Sequence, residues 1–555
     1  MQRTQVLIVG AGPTGLALAA QLHRLGVACR IIDKHAQVLE LTKSAALHSR
    51  TLEYFRDLGV VDRIVAEGQR VDILDLRTGH RDRVTVDFRT LGDAAYPYMI
   101  DIPQARTEHI LIDHLTDVGV ELERGVTCTG IKQTGDGVAA TVTLPDDSTD
   151  TIHADWLVGC DGAHSTIRSL LGLDFVGDAY ADDWVLCDGV VDWPLPRNEM
   201  TFSSDSDGIY GVFPLPGDRR YRLAYTQNRD ANGELVEPDI EDAQRAMART
   251  GIEGTIHSVD QFWTFNLAHR QATSYRKGRA FLVGDAAHVH TPFGGQGLNL
   301  GVGDAMNLGW KLAAVANGRA PVDLLDTYEE ERHRVGKQVV SFTHLGAQAM
   351  LLRGDPRRHL RDAVMGVLQS SPAALRQMAR RLSQVAHSYR NTSTVTGRVR
   401  KLRGGDRLPD YSLFDGVANH NRRLHDLLPS DRPALLLTGQ GNVGALLSSA
   451  RQMLDALRTS HPNTLAMQVL TTDWKMSTTA PEDIPVVLDR GREADELYGP
   501  HPTAYLVRPD RHLCYVGPPA VERIREQLAM MFTAETGAYH GAHEASASAT
   551  EGRRR

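Results

Sequence analysis

The chain has 555 residues, of which 42% are hydrophobic and 23% charged, and its net charge is −8. This length predicts several domains, and the composition is typical of a globular protein. The negative charge excludes a general attraction to nucleic acid or anionic membrane, so neither partner is expected. Five scattered cysteines without a CxxC pair indicate a reducing compartment and no zinc site, so we expect a cytoplasmic protein without a metal.

The first elements predict a β-α-β unit of about 30 residues. Residues 5–9 read as a strand buried on both faces, residues 14–25 as a helix and residues 27–33 as a second strand. This apolar start has some features of a secretory signal, but its glycines favour a different interpretation. No other stretch is long enough, without charges or helix breakers, to span a membrane.

The turn between the first strand and the helix reads Gly10-Ala11-Gly12-Pro13-Thr14-Gly15. Gly10 allows a tight turn, Gly12 lets the backbone approach a pyrophosphate, and Gly15 lets the helix pack on the strand. The helix N-terminus favours phosphate binding. Asp33, followed by Lys34, ends the second strand, where an acid accepts hydrogen bonds from the adenosine ribose. The motif predicts dinucleotide binding and fits NAD and FAD equally.

The later segments differ from one another in their predicted secondary structure. A helix is predicted over 103–118, strands near 120–132, 137–144 and 151–158, and a mostly antiparallel sheet within 178–270. Helices are predicted over 298–317 and within 345–395, and a compact α/β unit begins near 402. The predicted organisation is a dinucleotide-binding first part (1–177), an inserted sheet domain (178–270), a second dinucleotide-binding part with long helices (271–400), a C-terminal α/β domain (401–535) and a disordered tail (536–555).

Two further motifs follow buried strands. In the first, Asp161-Gly162 precedes a short helix that contains Arg168. In the second, Gly284-Asp285 precedes a loop from Pro292 to Gly297 and a helix from about Leu298. Asp285 is placed to accept from a ribityl hydroxyl, and the glycine backbone can lie against a flat isoalloxazine. The helix N-terminus then stabilises negative charge on reduced flavin. Both aspartates also suit a plain helix-capping role, and Arg168 suits a surface position.

In this order and spacing, the three motifs resemble those of the group A flavoprotein aromatic hydroxylases of the para-hydroxybenzoate hydroxylase type, over residues 1–400. The remainder is similar to the branch that contains phenol hydroxylase, pentachlorophenol monooxygenase and polyketide or rifampicin hydroxylases. The resemblance implies an α/β fold: a FAD-binding Rossmann-like (GR2-type) domain, an inserted mostly antiparallel β-sheet substrate domain, and a C-terminal thioredoxin-like α/β domain.

The resemblance also implies further FAD contacts. Lys43 stands where the family has an arginine, Arg50 is the second basic residue of that segment, Gln104 matches a FAD-contacting glutamine, and Val126 lies on the strand beside the adenine. The flavin-positioning loop contains Pro292 and Gly295. The expected cofactor-binding residues are Gly10, Gly12, Pro13, Thr14, Gly15, Asp33, Lys34, Lys43, Arg50, Gln104, Val126, Asp161, Gly162, Asp285, Pro292, Gly295, Gly297, Leu298 and Asn299.

What the resemblance implies for function is hydroxylation of a phenolic aromatic or polyketide substrate with NAD(P)H and O2, through a C4a-hydroperoxide of FAD. The Asp161-Gly162 segment would serve both FAD and NAD(P)H. The protein supplies no nucleophile, and the residue that deprotonates the phenol is not identified. A homodimer is among the partners that the resemblance allows.

Two alternatives stay open. A Baeyer–Villiger oxygen insertion uses the same scaffold, and a non-catalytic flavin-fold binding protein would keep the fold without the reaction. A flavin-dependent halogenase would carry a WxWxIP segment, which has no match in this sequence.

His288 is expected to be packed or hydrogen-bonded near the flavin. The arginines of the inserted sheet are expected in solvent: Arg197, Arg219 and Arg222.

Overall fold

The computed structural model describes residues 3–39, 44–78, 82–205, 208–227, 235–290, 294–350, 366, 368–415, 419–440, 443–459, 465–472 and 484–533. Lys43, Pro292 and the predicted tail (536–555) therefore lie outside the described residues. Within them, no helix is both long and apolar enough to cross a membrane. The helices are α1 Pro13–Arg24, α2 Ser49–Asp57, α3 Val61–Glu67, α4 Gln104–Asp117, α5 Thr166–Leu170, α6 Ile240–Ala248, α7 Gln296–Ala316, α8 Asp326–Tyr328, α9 Arg334–Met350, α10 Pro372–Leu382, α11 Val443–Arg458 and α12 Val521–Ala529.

The strands occur mostly in groups between these helices. They are β1 Thr4–Val9, β2 Cys29–Asp33, β3 Ala46–Leu47, β4 Gln69–Val71, β5 Ile73–Thr78, β6 Asp82–Asp87, β7 Met99–Asp101, β8 Leu122–Arg124, β9 Thr127–Gln133, β10 Val138–Thr143, β11 Thr149–Gly159, β12 Phe175–Asp192, β13 Glu199–Ser204, β14 Ile209–Pro214, β15 Arg220–Thr226, β16 Thr255–Ala272, β17 Arg276–Lys277, β18 Ala280–Leu282, β19 His288–Val289, β20 Thr396–Val399, β21 Leu402–Arg403, β22 Ser412–Asp415, β23 His420–Arg423, β24 Ala434–Gly439, β25 Ala466–Thr471, β26 Val486–Leu488, β27 Thr503–Val507 and β28 Leu513–Gly517.

A sheet built on the predicted β-α-β unit forms the centre of the first domain. Its main strand order is β17-β18-β11-β1-β2-β8, and β1 runs parallel to both β2 and β11. Val6, Leu7 and Ile8 are fully buried, as expected for a parallel strand covered on both faces. Helices α1 and α7 lie against each other beside this sheet. The predicted strand–turn–helix–strand order is confirmed.

The large sheet extends beyond the segment that the sequence predicted. Its order is β19-β16-β12-β15-β14-β13-β5-β6, and the two longest strands, β12 and β16, pair antiparallel. A hairpin of residues 73–87 (β5 and β6) joins its edge, where β5 pairs parallel with β13. The hairpin belongs there because its apolar residues pack with the same core as β13, which the local sequence does not reveal.

The C-terminal residues form a separate α/β unit. Strands β25, β24, β27 and β28 are neighbours in that order; β24 and β25 are parallel, and β27 is antiparallel to β24 and β28. With α11 after β24 and α12 after β28, this arrangement agrees with the thioredoxin-like fold implied by the resemblance. The unit begins earlier than residue 401, since β20 already pairs with β28.

The helix predicted within 345–395 ends sooner than its apolar pattern suggested. Helix α10 stops at Leu382, and residues 383–386 form a turn. Gln384 and Asn391 have φ angles of 63° and 60°, a left-handed conformation that does not continue an α-helix. Residues 351–365, in the middle of the predicted helix, lie outside the described part.

Candidate active site

The glycine-rich turn between β1 and α1 has the shape needed to hold a pyrophosphate. A β-carbon added at Gly10 or Gly15 would overlap backbone atoms of Cys160 or Gly10, so both positions require glycine. One added at Gly12 would meet nothing within 4 Å, because this glycine faces open space at the N-terminus of α1. Pro13 occupies the first turn of α1, where its lack of an N–H costs nothing. Thr14 packs against Gly284 and Gly301, which ties this turn to the later motif.

Asp33 stands at the end of β2 with its carboxylate beside the glycine-rich turn. It accepts hydrogen bonds from the backbone N–H of Ala11 at 2.6 Å and of His35 at 2.8 Å. The N–H of Val126 bonds to the Asp33 carbonyl at 2.9 Å, so Val126 lies next to this strand end. Lys34 is exposed. The position agrees with an acid that receives ribose hydroxyls beside a bound pyrophosphate.

The third motif brings an exposed acid and an open helix end together. Gly295 caps α7 with a left-handed φ of 62°, and Gly297 and Leu298 in the first turn remain half-buried. Asp285 is exposed although its neighbours Gly284 and Ala286 are buried, and its Oδ1 lies 4.0 Å from where a β-carbon on Gly297 would stand. A carboxylate and a helix N-terminus therefore face one space, which suits the ribityl chain and ring of a flavin.

Buried charged side chains stabilise the third motif by hydrogen bonds to its backbone and side chains. Asp304 on α7 accepts from the backbone N–H of Gly284 at 3.1 Å, from His288 Nε2 at 2.6 Å and from Arg332 Nε at 2.5 Å. Burial alone would raise the pKa of Asp304, but the charges of Arg332 and His288 hold it below its ordinary value. Arg332 also donates to the Leu300 carbonyl at 3.1 Å. The predicted packing of His288 is confirmed, whereas Asp304 and Arg332 were missed because their local sequence reads as ordinary helix.

Aromatic side chains cover the face of the large sheet that meets this motif. Along β12 the side chains of Trp184 and Leu186 point to this face, because alternate residues of a strand share a side. They belong to one buried cluster with Ala46 of β3 and Leu382 of α10, and Leu382 borders Gly294. The rest of this wall consists of Phe202, Phe213, Ala224, Trp263, Phe265, Phe342 and Met378.

Arg222 crosses from this wall to the flavin side, contrary to the prediction that it is solvated. It is 3% exposed and donates to both carboxylate oxygens of Asp188, at 2.7 and 2.8 Å. Its third nitrogen donates to the carbonyl of Ser44, just before β3, at 3.1 Å. The ion pair and the backbone bond explain the burial, since a buried guanidinium needs a counter-charge and acceptors.

Comparisons with known proteins agree with this geometry. Residues 3–343 match the FAD binding domain family. A rifampicin monooxygenase from Rhodococcus hoagii is 34% identical over 444 residues, which cover 79% of this chain and 87% of that protein. A 12-dehydrotetracycline 5-monooxygenase/anhydrotetracycline 6-monooxygenase from Streptomyces rimosus is 33% identical over 532 residues, covering 93% of this chain and 96% of that protein. This chain belongs to the group A flavoprotein aromatic hydroxylases.

The similarity extends to the complete fold of a relative. The solved structure of OxyS anhydrotetracycline hydroxylase from Streptomyces rimosus superimposes with a TM-score of 0.71 at 31% identity, and the match covers 96% of this chain and 99% of that one. The resemblance seen in the motifs is therefore confirmed, and FAD is the cofactor of this hydroxylase fold. The open space at Gly12 and the exposed Asp285 fit that group.

Three predicted FAD contacts have other partners in this hydroxylase. Arg50 is buried, donates to Glu53 at 2.7 Å and to the Asp510 carbonyl at 2.6 Å, and joins the C-terminal unit, so its contact with FAD stays a prediction. The Asn299 side chain bonds to the backbone of Ala46 and His48, so only its backbone is left for a cofactor. Gln104 donates to Glu108 at 2.8 Å, and its amide oxygen is left to accept.

Asp161 contacts the start of α5, where Ser165 is the N-cap residue, and its contact with FAD stays a prediction. Its carboxylate accepts from Ser165 Oγ at 2.5 Å and from the N–H of Ile167 at 3.0 Å, beside α5, and burial raises its pKa. Gly162, with a φ of 81°, faces open space. Arg168 is buried and donates to the Ala286 carbonyl at 2.9 Å, so it clamps the third motif instead of lying on the surface.

One group among the described residues has spacing that suits a metal: the possible ligand atoms of Glu53, Asp410 and His425 lie within 4.8 Å of one another. Glu53 is already bonded to the guanidinium groups of Arg50 and Arg407. Arginine therefore supplies the positive charge that a metal would bring. The predicted absence of a metal stays a prediction.

A surface cavity of about 750 Å³ lies on the other side of the large sheet. Its walls include Trp193, Tyr221 and Ile252, which belong to the core opposite the aromatic wall. Tyr221 and Arg222 are consecutive on β15, so their side chains point to opposite faces. The cavity is therefore separate from the space in front of α7.

Proposed function

We propose that this hydroxylase inserts one oxygen atom from O2 into a phenolic ring of a multi-ring, polyketide-like compound, with NAD(P)H as the reductant. The relatives that act on rifampicin and anhydrotetracycline support a large substrate, since they match most of the chain at 33–34% identity. Bound FAD supplies hydride acceptance and activation of O2.

The observation that carries the proposal is the shared hydrophobic cluster between the flavin loop and the aromatic wall. Ala46 and Leu382, which border Gly295 and Gly294, pack in the same cluster as Trp184 and Phe213. A flat aromatic compound held against this wall would lie in front of the first turn of α7. The wall excludes water, which protects reactive oxygen species from wasteful decay.

The protein's own groups then have distinct tasks. The turn at Gly12 and the carboxylate of Asp33 hold the pyrophosphate and ribose, and Asp285 accepts from the ribityl chain. The first turn of α7 stabilises negative charge on the ring system. The backbone at Gly162 is open to NAD(P)H. The large sheet serves as the substrate domain, and the C-terminal unit, in which Cys514 is buried and unpaired, serves for association, including a homodimer.

The test is NAD(P)H oxidation by the purified yellow enzyme in the presence of single-ring phenols and of polycyclic phenols, with product mass measured in parallel. We expect one or more polycyclic phenols to accelerate oxidation and to gain one oxygen on an aromatic carbon. A ketone converted to an ester would indicate the Baeyer–Villiger reaction instead. A protein that purifies without flavin and does not take it up would contradict the proposal and favour a binding protein.

A further inference from the structure

Asp101 is a buried carboxyl group without a hydrogen-bond partner. It ends β7, its side chain is 0% exposed, and neither Oδ1 nor Oδ2 has a partner in the described structure. A buried polar group without a partner is costly, and a carboxylate more so than most. In a folded enzyme, such a carboxylate is expected to bind a ligand or to take up a proton, because either one lowers the cost of its burial.

The position of Asp101 places its side chain on the flavin side of a small three-stranded sheet. It pairs directly with Ala46 on β3 and with Gln69 on β4. Directly paired residues of antiparallel strands share a face. A β-carbon added at Gly295 would lie 3.0 Å from the β-carbon of Ala46, so that face looks toward the cap of α7. Asp101 thus lies on the face of this small sheet that is directed toward the contact between the aromatic wall and the flavin loop.

We propose that Asp101 accepts the proton of the substrate's phenolic hydroxyl through one water molecule. In this step the phenol O–H bond breaks, an O–H bond forms on a carboxylate oxygen of Asp101, and the electron pair stays on the phenolate oxygen. The phenolate is the form whose ring carbon attacks an electrophilic oxygen. This inference rests on the proposed function and identifies the base that the sequence left unassigned.

The electrostatic surroundings suit a base for a weak acid. Burial raises the pKa of Asp101 to about 8, and the charge of Arg222 opposes that rise. A phenol ordinarily has a pKa of about 10. A carboxylate whose pKa has risen toward that value takes the proton more readily than an ordinary aspartate, because the two acids are better matched.

The groups that face Asp101 do not explain a titration near pH 8. Arg222 on β15 stays charged and is paired with Asp188 on β12. His48, at the end of β3, has its pKa lowered by burial to about 4, so its ring is neutral well below this range. Gln69 on β4 and Gly295 carry no charge. We therefore expect activity to rise with pH through about 8, as Asp101 loses its own proton.

The experiment uses the holoenzyme with oxidised flavin and the phenolic substrate found in the oxidation assay. The ligand's absorbance reports its change from phenol to phenolate as pH rises, without turnover. In Asp101→Asn we expect the bound phenol to ionise at least one pH unit higher, and kcat at pH 8 to fall about 10²- to 10⁴-fold. More acidic fluorinated phenols should restore part of the rate. Asp75→Asn, a buried aspartate on β5 paired with Arg77 and Arg83, is the matched control.

Each outcome decides the inference. If Asp101→Asn keeps its flavin and binds the phenolate at the same pH as the wild type, Asp101 is not the base. An equal loss in Asp75→Asn, without rescue by acidic phenols, would also overturn it. Asp101→Ser repeats the test if the asparagine variant loses flavin. A wild type that oxidises no phenol overturns the proposed function as well, whereas an active wild type with an unaffected variant overturns only the role of Asp101.

Discussion

Two glycines of one turn are expected to respond differently to the same substitution. Gly15→Ala forces the new methyl group into the Gly10 carbonyl, so the backbone must move, and overpacking of this kind costs about 1–3 kcal/mol of stability. Gly12→Ala meets no protein atom within 4 Å, so the fold should be kept. Its methyl group instead enters the space of the pyrophosphate. We expect Gly12→Ala to weaken FAD binding about tenfold or more.

Flavin release and thermal unfolding, measured on both variants, separate these effects. Gly12→Ala should keep the apoprotein midpoint and raise the dissociation constant of FAD, and Gly15→Ala should change both. Gly92→Ala, at an exposed turn position with open space around it and no positive φ, controls for the added methyl group. Unchanged FAD affinity in Gly12→Ala would contradict the assignment of this turn to the pyrophosphate.

At the scale of elements, α7 is held in place by a charge network that links it to three other segments. Asp304 links α7 to the Gly284 turn, to His288 on β19 and to Arg332 before α9. Asp304→Asn leaves the guanidinium of Arg332 buried without its counter-charge, which costs about 3–5 kcal/mol. Because the loop and helix end that face the flavin depend on this network, FAD should also be released earlier during unfolding.

Denaturant unfolding followed by flavin fluorescence and circular dichroism measures both effects. Asp323→Asn, an exposed aspartate in the turn before α8, should change stability by no more than about 0.5 kcal/mol. Equal unfolding free energies for Asp304→Asn and the wild type would mean that the network does not support α7.

The sequence predicted those elements whose signal is local. The glycines of the first turn and the apolar residues of β1 and β18 each indicate their own local conformation, so the sequence predicted these parts of the FAD site. The sequence did not reveal that Arg50 bonds to Asp510, because the two residues are 460 positions apart. The surroundings of Asp101 and of the β5–β6 hairpin also come from other strands of the chain, so their local sequences do not reveal them. Long-range burial and charge pairing are set by tertiary packing, which a local pattern does not record.

At the scale of the molecule, buried ion pairs join the C-terminal unit to the flavin domain. Glu331 bonds to Arg508 Nη1 at 2.5 Å, to Lys311 Nζ at 2.8 Å and to Asn307 at 2.7 Å, and its side chain is fully buried. Asp510 in turn accepts from Trp310 on α7 at 3.2 Å. The two units therefore share a charged core, and we expect them to unfold together.

Because of this charged core, we expect the free energy of unfolding to fall steeply in acid. Burial alone would raise the pKa of Glu331, but the charges of Arg508 and Lys311 lower it from 4.5 to about 2. A carboxylate with a lowered pKa in the folded state contributes stability above its unfolded value, and this is lost as pH falls toward 2. The contribution is about 3 kcal/mol. Arg508 keeps its pair with Asp510, but Glu331→Gln should remove this contribution and leave the buried Lys311 without its carboxylate partner, at a cost of about 3–5 kcal/mol near neutral pH.

Unfolding free energies of wild type and Glu331→Gln between pH 7 and pH 3 test this argument. The difference between them should shrink as pH falls, because the wild type loses what the variant already lacks. Glu123→Gln removes the partly exposed pair with Arg30 and should change stability by about 1 kcal/mol or less. A difference that stays constant across this range would mean that folding does not lower the pKa of Glu331, and a difference that grows as pH falls would mean that Glu331 is neutral in the folded enzyme. Two separate unfolding transitions would mean that the contact between the units is too weak to couple them.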